Sequence, residues 1–127
     1  MKMAAIYCRL AHADQSLLDA QKERLCTFAE ANGYSNFEIY SDNGYNGLSF
    51  DRPAFAKLEA DIQDGTVGVV IVRDDTRISR DIYAVMEWIE RLGEQGVAFV
   101  MADTQYTDGP DIIRDTFQRY LEQQKKL

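Results

Sequence analysis

Two stretches, AAIYCRL (4–10) and VGVVIVRD (67–74), are almost continuously apolar, and each gives way to a segment with helical spacing. Continuous apolar runs of this length mark strands buried on both faces, which is the signature of a parallel sheet covered by helices. Two further runs, FEIYSD (37–42) and VAFVMAD (97–103), read as strands in the same rhythm. Strand and helix therefore alternate through the chain, and that alternation specifies an α/β domain. The expected architecture is a mostly parallel central sheet with right-handed crossovers and helices on both faces.

The helices carry their own punctuation. Leu18, Leu25, Phe28 and Ala29 share one face of a helix from about Ser16 to Ala31, which Asn32 and Gly33 end. Ser16 followed by Asp19 resembles a capping box. The second helix is announced by DRPAF, with Asp51 as the expected cap, Pro53 in the first turn, and Phe55, Leu58 and Ile62 as its apolar stripe. The third runs from about Asp81 to Leu92, with Ile82, Val85, Met86, Ile89 and Leu92 on one face. A last helix, about 111–127, carries Ile112, Ile113, Phe117, Tyr120 and Leu121. The segment SDNGYNGLSFD (41–51) reads as a mobile, turn-rich loop after the second strand. No repeat or interior boundary interrupts the pattern, so residues 1–127 are expected to form one domain.

Charge narrows the partners. The net charge of −7 argues against a domain that grips nucleic acid through overall basicity. Positive charge is nevertheless concentrated: Arg73, Arg77 and Arg80 fall within eight residues. No apolar run reaches the length of a membrane span and the start MKMAAIYC is no signal peptide, so a cytoplasmic protein without a membrane partner is expected. The single His12 and the separated Cys8 and Cys26 make no zinc site, and no cofactor is expected. Both cysteines read as small buried thiols, His12 as an exposed loop residue, and Trp88 as core packing rather than a base-stacking platform.

In folds of this kind ligands lie beyond the carboxyl ends of the strands. Those ends carry Arg9, Asp42, then Arg73, Asp74 and Asp75, then Asp103, with Arg77 and Arg80 close behind. Several arginines on that edge of an acidic protein call for an anion, because the guanidinium fork matches phosphate oxygens. The bland alternative is a solvated helix start in which the arginines pair with Asp74, Asp75 and Asp81. Arginines in the first turn of a helix would oppose its dipole, which tilts the balance toward a bound anion. DNGYNG lacks the lysine and spacing of a phosphate-binding loop, and a receiver-type domain would need acidic residues where Arg9 stands.

Taken in order, YCRLA with DQSLLDAQ, then YSDNGYNG with FDRPAF, then VVIVRDDTRISRD resemble the three blocks of the serine recombinase (resolvase/invertase) catalytic domain. The likeness covers about residues 4–103 and is closest to the large serine recombinases of phages and mobile elements. It implies DNA recombination or integration without metal or nucleotide. A serine hydroxyl attacks the scissile phosphate, a phosphoserine link forms, and strands are exchanged within a tetramer and resealed. Arg9 then matches the first-block arginine, Gln21 a glutamine of the first helix, and Asp42 the aspartate after the second strand. Arg52 matches the arginine before the second helix, and Arg77 and Arg80 the pair of the third block. Thr76 falls where the family shows Asp or Ser.

Two departures stand out. Ala11 occupies the position of the nucleophilic serine, and a methyl group cannot attack phosphorus. The chain is therefore expected to be inactive as written, whether through replacement of a serine or as a natural pseudo-recombinase that acts as an interaction or regulatory subunit. The last helix, which in the family leads into a DNA-binding domain, reads as cut short at LEQQKKL. DNA is the expected partner, bound weakly by this domain alone, and a homodimer or tetramer is expected only in a full-length context. A small-molecule phosphohydrolase is disfavoured by the lack of metal ligands, nucleophile and phosphate loop.

Overall fold

The structure is a computed structural model, and it describes residues 2–48, 51–74 and 77–103. Seven elements alternate along the chain: β1 (Met3–Leu10), α1 (Gln15–Ala31), β2 (Phe37–Asn43), α2 (Pro53–Gln63), β3 (Val67–Val72), α3 (Ile82–Glu94) and β4 (Ala98–Met101). The strands form one sheet in the order β2-β1-β3-β4, and each neighbouring pair is parallel. This is the α/β architecture expected from the alternation. The expected last helix, about 111–127, lies outside the described residues.

The pleat divides β1 between two cores. Ala4, Ile6 and Cys8 join Leu18, Leu25 and Ala29 of α1, together with Val69 and Ile71 of β3. Ala5 and Tyr7 face the other way, onto Phe55, Leu58 and Ile62 of α2 and Val85, Trp88 and Leu92 of α3. Successive side chains of a strand point to opposite faces, so a strand that feeds two cores has to be apolar throughout. Each fully buried leucine or isoleucine in these layers contributes about 1.5–3 kcal/mol through burial.

The order of the strands follows from crossover handedness. The chain runs one way along the sheet from β1 to β2 and the opposite way from β2 through β3 to β4. Crossovers of a single hand then place α1 on one face and α2 and α3 on the other. The direction reverses between the adjacent strands β1 and β3, which opens a crevice beyond their carboxyl ends. Arg9 closes β1 on one side of that crevice, and the 77–80 segment leaves β3 on the other.

The caps differ in detail from the sequence reading. The N-cap of α1 is Asp14, whose carboxylate accepts the Leu17 N–H at 3.0 Å, so Ser16 lies inside the first turn instead of capping it. The N-cap of α2 is Arg52, and the N–H groups of Ala54 and Phe55 go to Asp42 on β2, at 2.9 and 3.0 Å. A carboxylate from a neighbouring strand thus supplies the cap that Asp51 was expected to give. Asp81 does cap α3, accepting from Tyr83 at 3.0 Å and Ala84 at 3.4 Å. The buried stripe of α3 is Val85, Trp88 and Leu92, and Ile82, expected on that face, is 46% exposed in the first turn. Trp88 packs between Phe55 and Phe99, with ring centroids 5.3 and 6.2 Å away.

Candidate functional site: an arginine cluster beyond β1 and β3

Arg9 is 1% exposed although it ends a strand. Its Nε donates to the Arg77 carbonyl at 3.2 Å and its Nη1 to the Tyr45 carbonyl at 2.8 Å. Its own backbone N–H donates to Oε1 of Gln21, at 3.3 Å, so α1 reaches across to hold the end of β1. Gln21 therefore supports the arginine through its main chain.

Arg52 is also buried, at 2% exposure, and meets Arg9 at a shared acceptor. Its Nη1 donates to the same Arg77 carbonyl at 2.9 Å and to the Tyr7 hydroxyl at 3.0 Å, and its Nη2 donates to the Ile78 carbonyl. The guanidinium lies 4.7 Å from the Phe55 ring centroid. A planar fork with several fixed donors suits this position, where a single ammonium could not reach all the acceptors.

Asp42 stands opposite Arg9 in the β1–β2 register but does not pair with it. Its carboxylate accepts from the Tyr7 hydroxyl at 2.8 Å and from the first turn of α2. A chain of contacts results, from the α2 N-terminus through Asp42, Tyr7 and Arg52 to the backbone of residues 77–78. Burial and the Asp42 hydrogen bond push the Tyr7 phenol well above the usual tyrosine range, with Arg52 working in the opposite sense.

Arg77 is half-buried and Arg80 exposed; both precede α3, which starts at Ile82. The expectation that they sit in a helical first turn and oppose its dipole is corrected. Asp81 caps the helix and Ser79 Oγ accepts the Asp81 N–H at 3.0 Å, so the two arginines belong to the loop leading in. Three guanidinium groups nonetheless bear on a fourth, that of Arg9. Burial lowers Arg9 from the usual arginine range; the charges of Arg52, Arg77 and Arg80 lower it further, and Tyr7 raises it. Like charges held together at a crevice favour an anion between them.

Arg73, grouped with Arg77 and Arg80 on sequence spacing, goes elsewhere. Its Nε donates to Asp103 at 2.8 Å, and Arg24 of α1 pairs with the same carboxylate. That cluster ties α1 to the end of β4. Thr76 lies outside the described residues. His12 is exposed. Ala11 is half-buried in the bend after β1, two residues from Arg9. Ser79 is 3% exposed and engaged with Asp81, and Ser16 is exposed on α1.

Three residues of this site were not singled out on sequence: Tyr7, Tyr45 and Gly47. Tyr7 sits in the first block, in a run where every neighbour is apolar, and nothing local marks its hydroxyl as a polar junction. Tyr45 and Gly47 act through carbonyl groups, which no side-chain pattern reveals. Gly44 and Tyr45 donate their N–H groups to the Leu10 carbonyl at 2.9 and 3.0 Å, and Asn43 Oδ1 accepts the Asp14 N–H at 3.0 Å. The Arg80 N–H donates to the Gly47 carbonyl at 2.9 Å. The segment expected to be a mobile loop is thus tied, over 43–47, to the loops after both β1 and β3.

This combination of an all-parallel β2-β1-β3-β4 sheet and arginines beyond β1 and β3 defines a resolvase-type α/β domain. The chain belongs to the family described as "Resolvase, N terminal domain", whose model matches residues 4–126. It has the catalytic-domain fold of a site-specific serine recombinase. It is similar to a putative DNA recombinase of Bacillus subtilis (strain 168), with 26% identity over 113 residues. The match takes in 86% of this chain and 22% of that protein, so the chain spans about a fifth of that relative's length. Among solved structures it is similar to the N-terminal catalytic domain of TP901-1 integrase, with a TM-score of 0.80, 23% identity and 98% of each chain covered. It is similar as well to the C-terminal catalytic domain of ISC1926 TnpA, an IS607-like serine recombinase. There the TM-score is 0.71 and the identity 26%, over 94% of this chain and 79% of the other. Among the described residues no helix is long and apolar enough to cross a membrane.

Proposed function

We propose that the arginine cluster is the seat of a DNA phosphodiester, and that this chain holds the phosphate site of a recombinase without its nucleophile. The observation that carries this reading is that Arg9 and Arg52 share the Arg77 carbonyl while the Arg9 and Arg80 side chains meet at Gly47, with Arg9 two residues from Ala11 in sequence. In the reaction, a serine oxygen forms a bond to phosphorus, the bond from phosphorus to the 3′-oxygen breaks, and a proton passes to that oxygen. Guanidinium donors stabilise the charge that builds on the phosphoryl oxygens. Arg77 and Arg80, at the open side, are the direct phosphate ligands in this reading, with Arg9 behind them. Arg52, Asp42, Tyr7 and Gln21 hold the frame. Thr76, immediately before Arg77 in sequence, is assigned to the same site.

Ala11 offers no lone pair, so the covalent step has no first atom. The test is Ala11→Ser in a polypeptide that also carries a DNA-binding region, incubated with its recombination site. A covalent protein–DNA adduct with a free 3′-hydroxyl is expected, and none from the Ala11 form. No adduct from the serine form would sink the reading. Ala11 also favours a second reading, a pseudo-recombinase that assembles with an active partner. In that case the serine form stays silent, and the chain co-purifies with a recombinase whether or not Arg77 is changed to alanine.

The whole-protein activity, the assembly into dimers or tetramers, and the inclusion of residues 104–127 in this domain belong to the same proposal. Weak DNA binding by the chain alone, steeply dependent on salt, is its simplest consequence.

A further inference from the structure

We infer that Gly47 is a positioning residue for the anion site, kept free of a side chain so that the 43–47 strap can close over Arg9 and Arg80. A Cβ built on Gly47 would stand 2.7 Å from Arg9 Nη2, 3.0 Å from Arg9 Cζ and 3.0 Å from Arg80 Cγ. Separations below 3 Å to a carbon or nitrogen are repulsive, so something has to move. The atoms in the way are the guanidinium of Arg9 and the stem of Arg80, the two groups whose placement the site requires. The backbone of Gly47 cannot retreat without losing its carbonyl's bond to the Arg80 N–H at 2.9 Å. Nor is Arg9 an idle side-chain tip, since Tyr45 and Arg77 carbonyls hold two of its nitrogens in a buried place.

The strap thereby fixes three things at once. It holds the bend that carries Ala11, through the Leu10 carbonyl. It fixes the Arg9 guanidinium, through the Tyr45 carbonyl. It holds the backbone of Arg80, through the Gly47 carbonyl. A methyl at residue 47 pushes the Arg9 guanidinium and the Arg80 stem away from the strap while leaving the sheet and both apolar cores untouched. The function should therefore suffer well before the fold does. The inference rests on the anion-site reading above, but its geometric part can be tested separately.

The experiment compares the chain with its Gly47→Ala form, using Gly93→Ala as a control. Gly93 lies in α3 with nothing within 4 Å of a built Cβ. The first readout is the arginine Nε–H region of the nitrogen–proton NMR spectrum, where Arg9 Nε–H, bonded to the Arg77 carbonyl, gives an assignable signal. The second is titration with inorganic phosphate, followed on the arginine signals. In Gly47→Ala the Arg9 signal should shift or broaden and phosphate should bind about tenfold more weakly, the scale of one charge-assisted hydrogen bond. The melting temperature should change by less than about 5 °C. Gly93→Ala should leave both readouts unchanged.

An unmoved Arg9 signal in Gly47→Ala overturns the inference, as does a moved signal with unaltered phosphate affinity. If the parent chain gives no phosphate response, the anion-site reading fails, and positioning for an anion fails with it; the Arg9 signal then still reports whether the crowding exists. If Gly47→Ala does not fold, the pair Gly47→Ala and Arg9→Ala decides. Removing the guanidinium makes room, so the double variant should be no less stable than Arg9→Ala alone. Additive losses would overturn the inference.

Discussion

The Tyr7 hydroxyl donates to the Asp42 carboxylate at 2.8 Å, from between the apolar Ile6 and Cys8 of β1 to the end of the neighbouring strand. The same hydroxyl accepts from Arg52, and the same carboxylate caps α2. One tyrosine therefore links the start of a helix, the edge of the sheet and the loop that carries Arg77. Removing its oxygen leaves two buried charged groups each short of a partner. Tyr7→Phe should keep the fold and lose about 1–3 kcal/mol in urea unfolding, the usual cost of unsatisfied buried groups. A loss within experimental error would show that water replaces the hydroxyl.

Asp42→Asn should be costlier. The amide keeps one oxygen where the carboxylate used two, and it withdraws negative charge from the vicinity of Arg52 and from the α2 N-terminus. We expect a loss of about 3–5 kcal/mol, as for a buried charge left without its counterpart. Denaturant melts monitored by circular dichroism measure it, and a value close to that of Tyr7→Phe would contradict the capping role.

Arg52 and Arg80 should separate stability from binding. Arg52→Lys keeps the charge but cannot span the Tyr7 hydroxyl and the Arg77 and Ile78 carbonyls, so a loss of about 2–3 kcal/mol is expected. Arg80 is exposed, and Arg80→Ala should change stability by no more than about 0.5 kcal/mol. The same substitution should weaken binding of a short DNA duplex and reduce the slope of log affinity against log salt by about one phosphate contact. Equal binding by parent and Arg80→Ala would remove Arg80 from the proposed phosphate site.

The fold should weaken in alkali for an identifiable reason. Burial pushes the Cys8 thiol from 9.0 up to about 12, and Tyr7 is raised from 10.0. Between pH 9 and 12 the unfolded chain has released the Cys8 proton while the folded chain retains it, so the unfolded state binds fewer protons there and stability falls as pH rises. Stability from this source is complete below pH 9.0, and Tyr7 adds to the loss above pH 10.0. The urea midpoint should decline across that window, and the decline should be shallower in Tyr7→Phe. A flat midpoint up to pH 12 would refute this.

The two phases of the chain's order have different origins. Continuous apolar runs at 4–10 and 67–74, separated by helical spacing, required a parallel sheet with covered faces, because nothing else buries a strand on both sides. The order of residue types also placed Arg9 and Asp42 at strand ends, with Arg77 and Arg80 close behind a third, on the edge where such folds bind ligands. The three recombinase blocks could be read directly from residue order, and the proposal that Ala11 stands at the nucleophile position rests on that order alone. These properties depend on local pattern and on residue chemistry.

What the sequence left open depends on contacts between residues far apart in the chain. Spacing grouped Arg73 with Arg77 and Arg80, yet the turn after β3 sends Arg73 to Asp103 and leaves the other two beside Arg9. Asp51 lay in the right place to cap α2, but the carboxylate of Asp42 arrives from β2 because the parallel register brings it there. The loop at 43–47 had the composition of a flexible turn, and main-chain hydrogen bonds to Leu10, Arg9 and Arg80 make it a strap. Side-chain identity determines which faces are apolar and where charge resides. Only the folded chain decides which carbonyl meets which guanidinium, since every residue carries a carbonyl and the choice among them is made by distance.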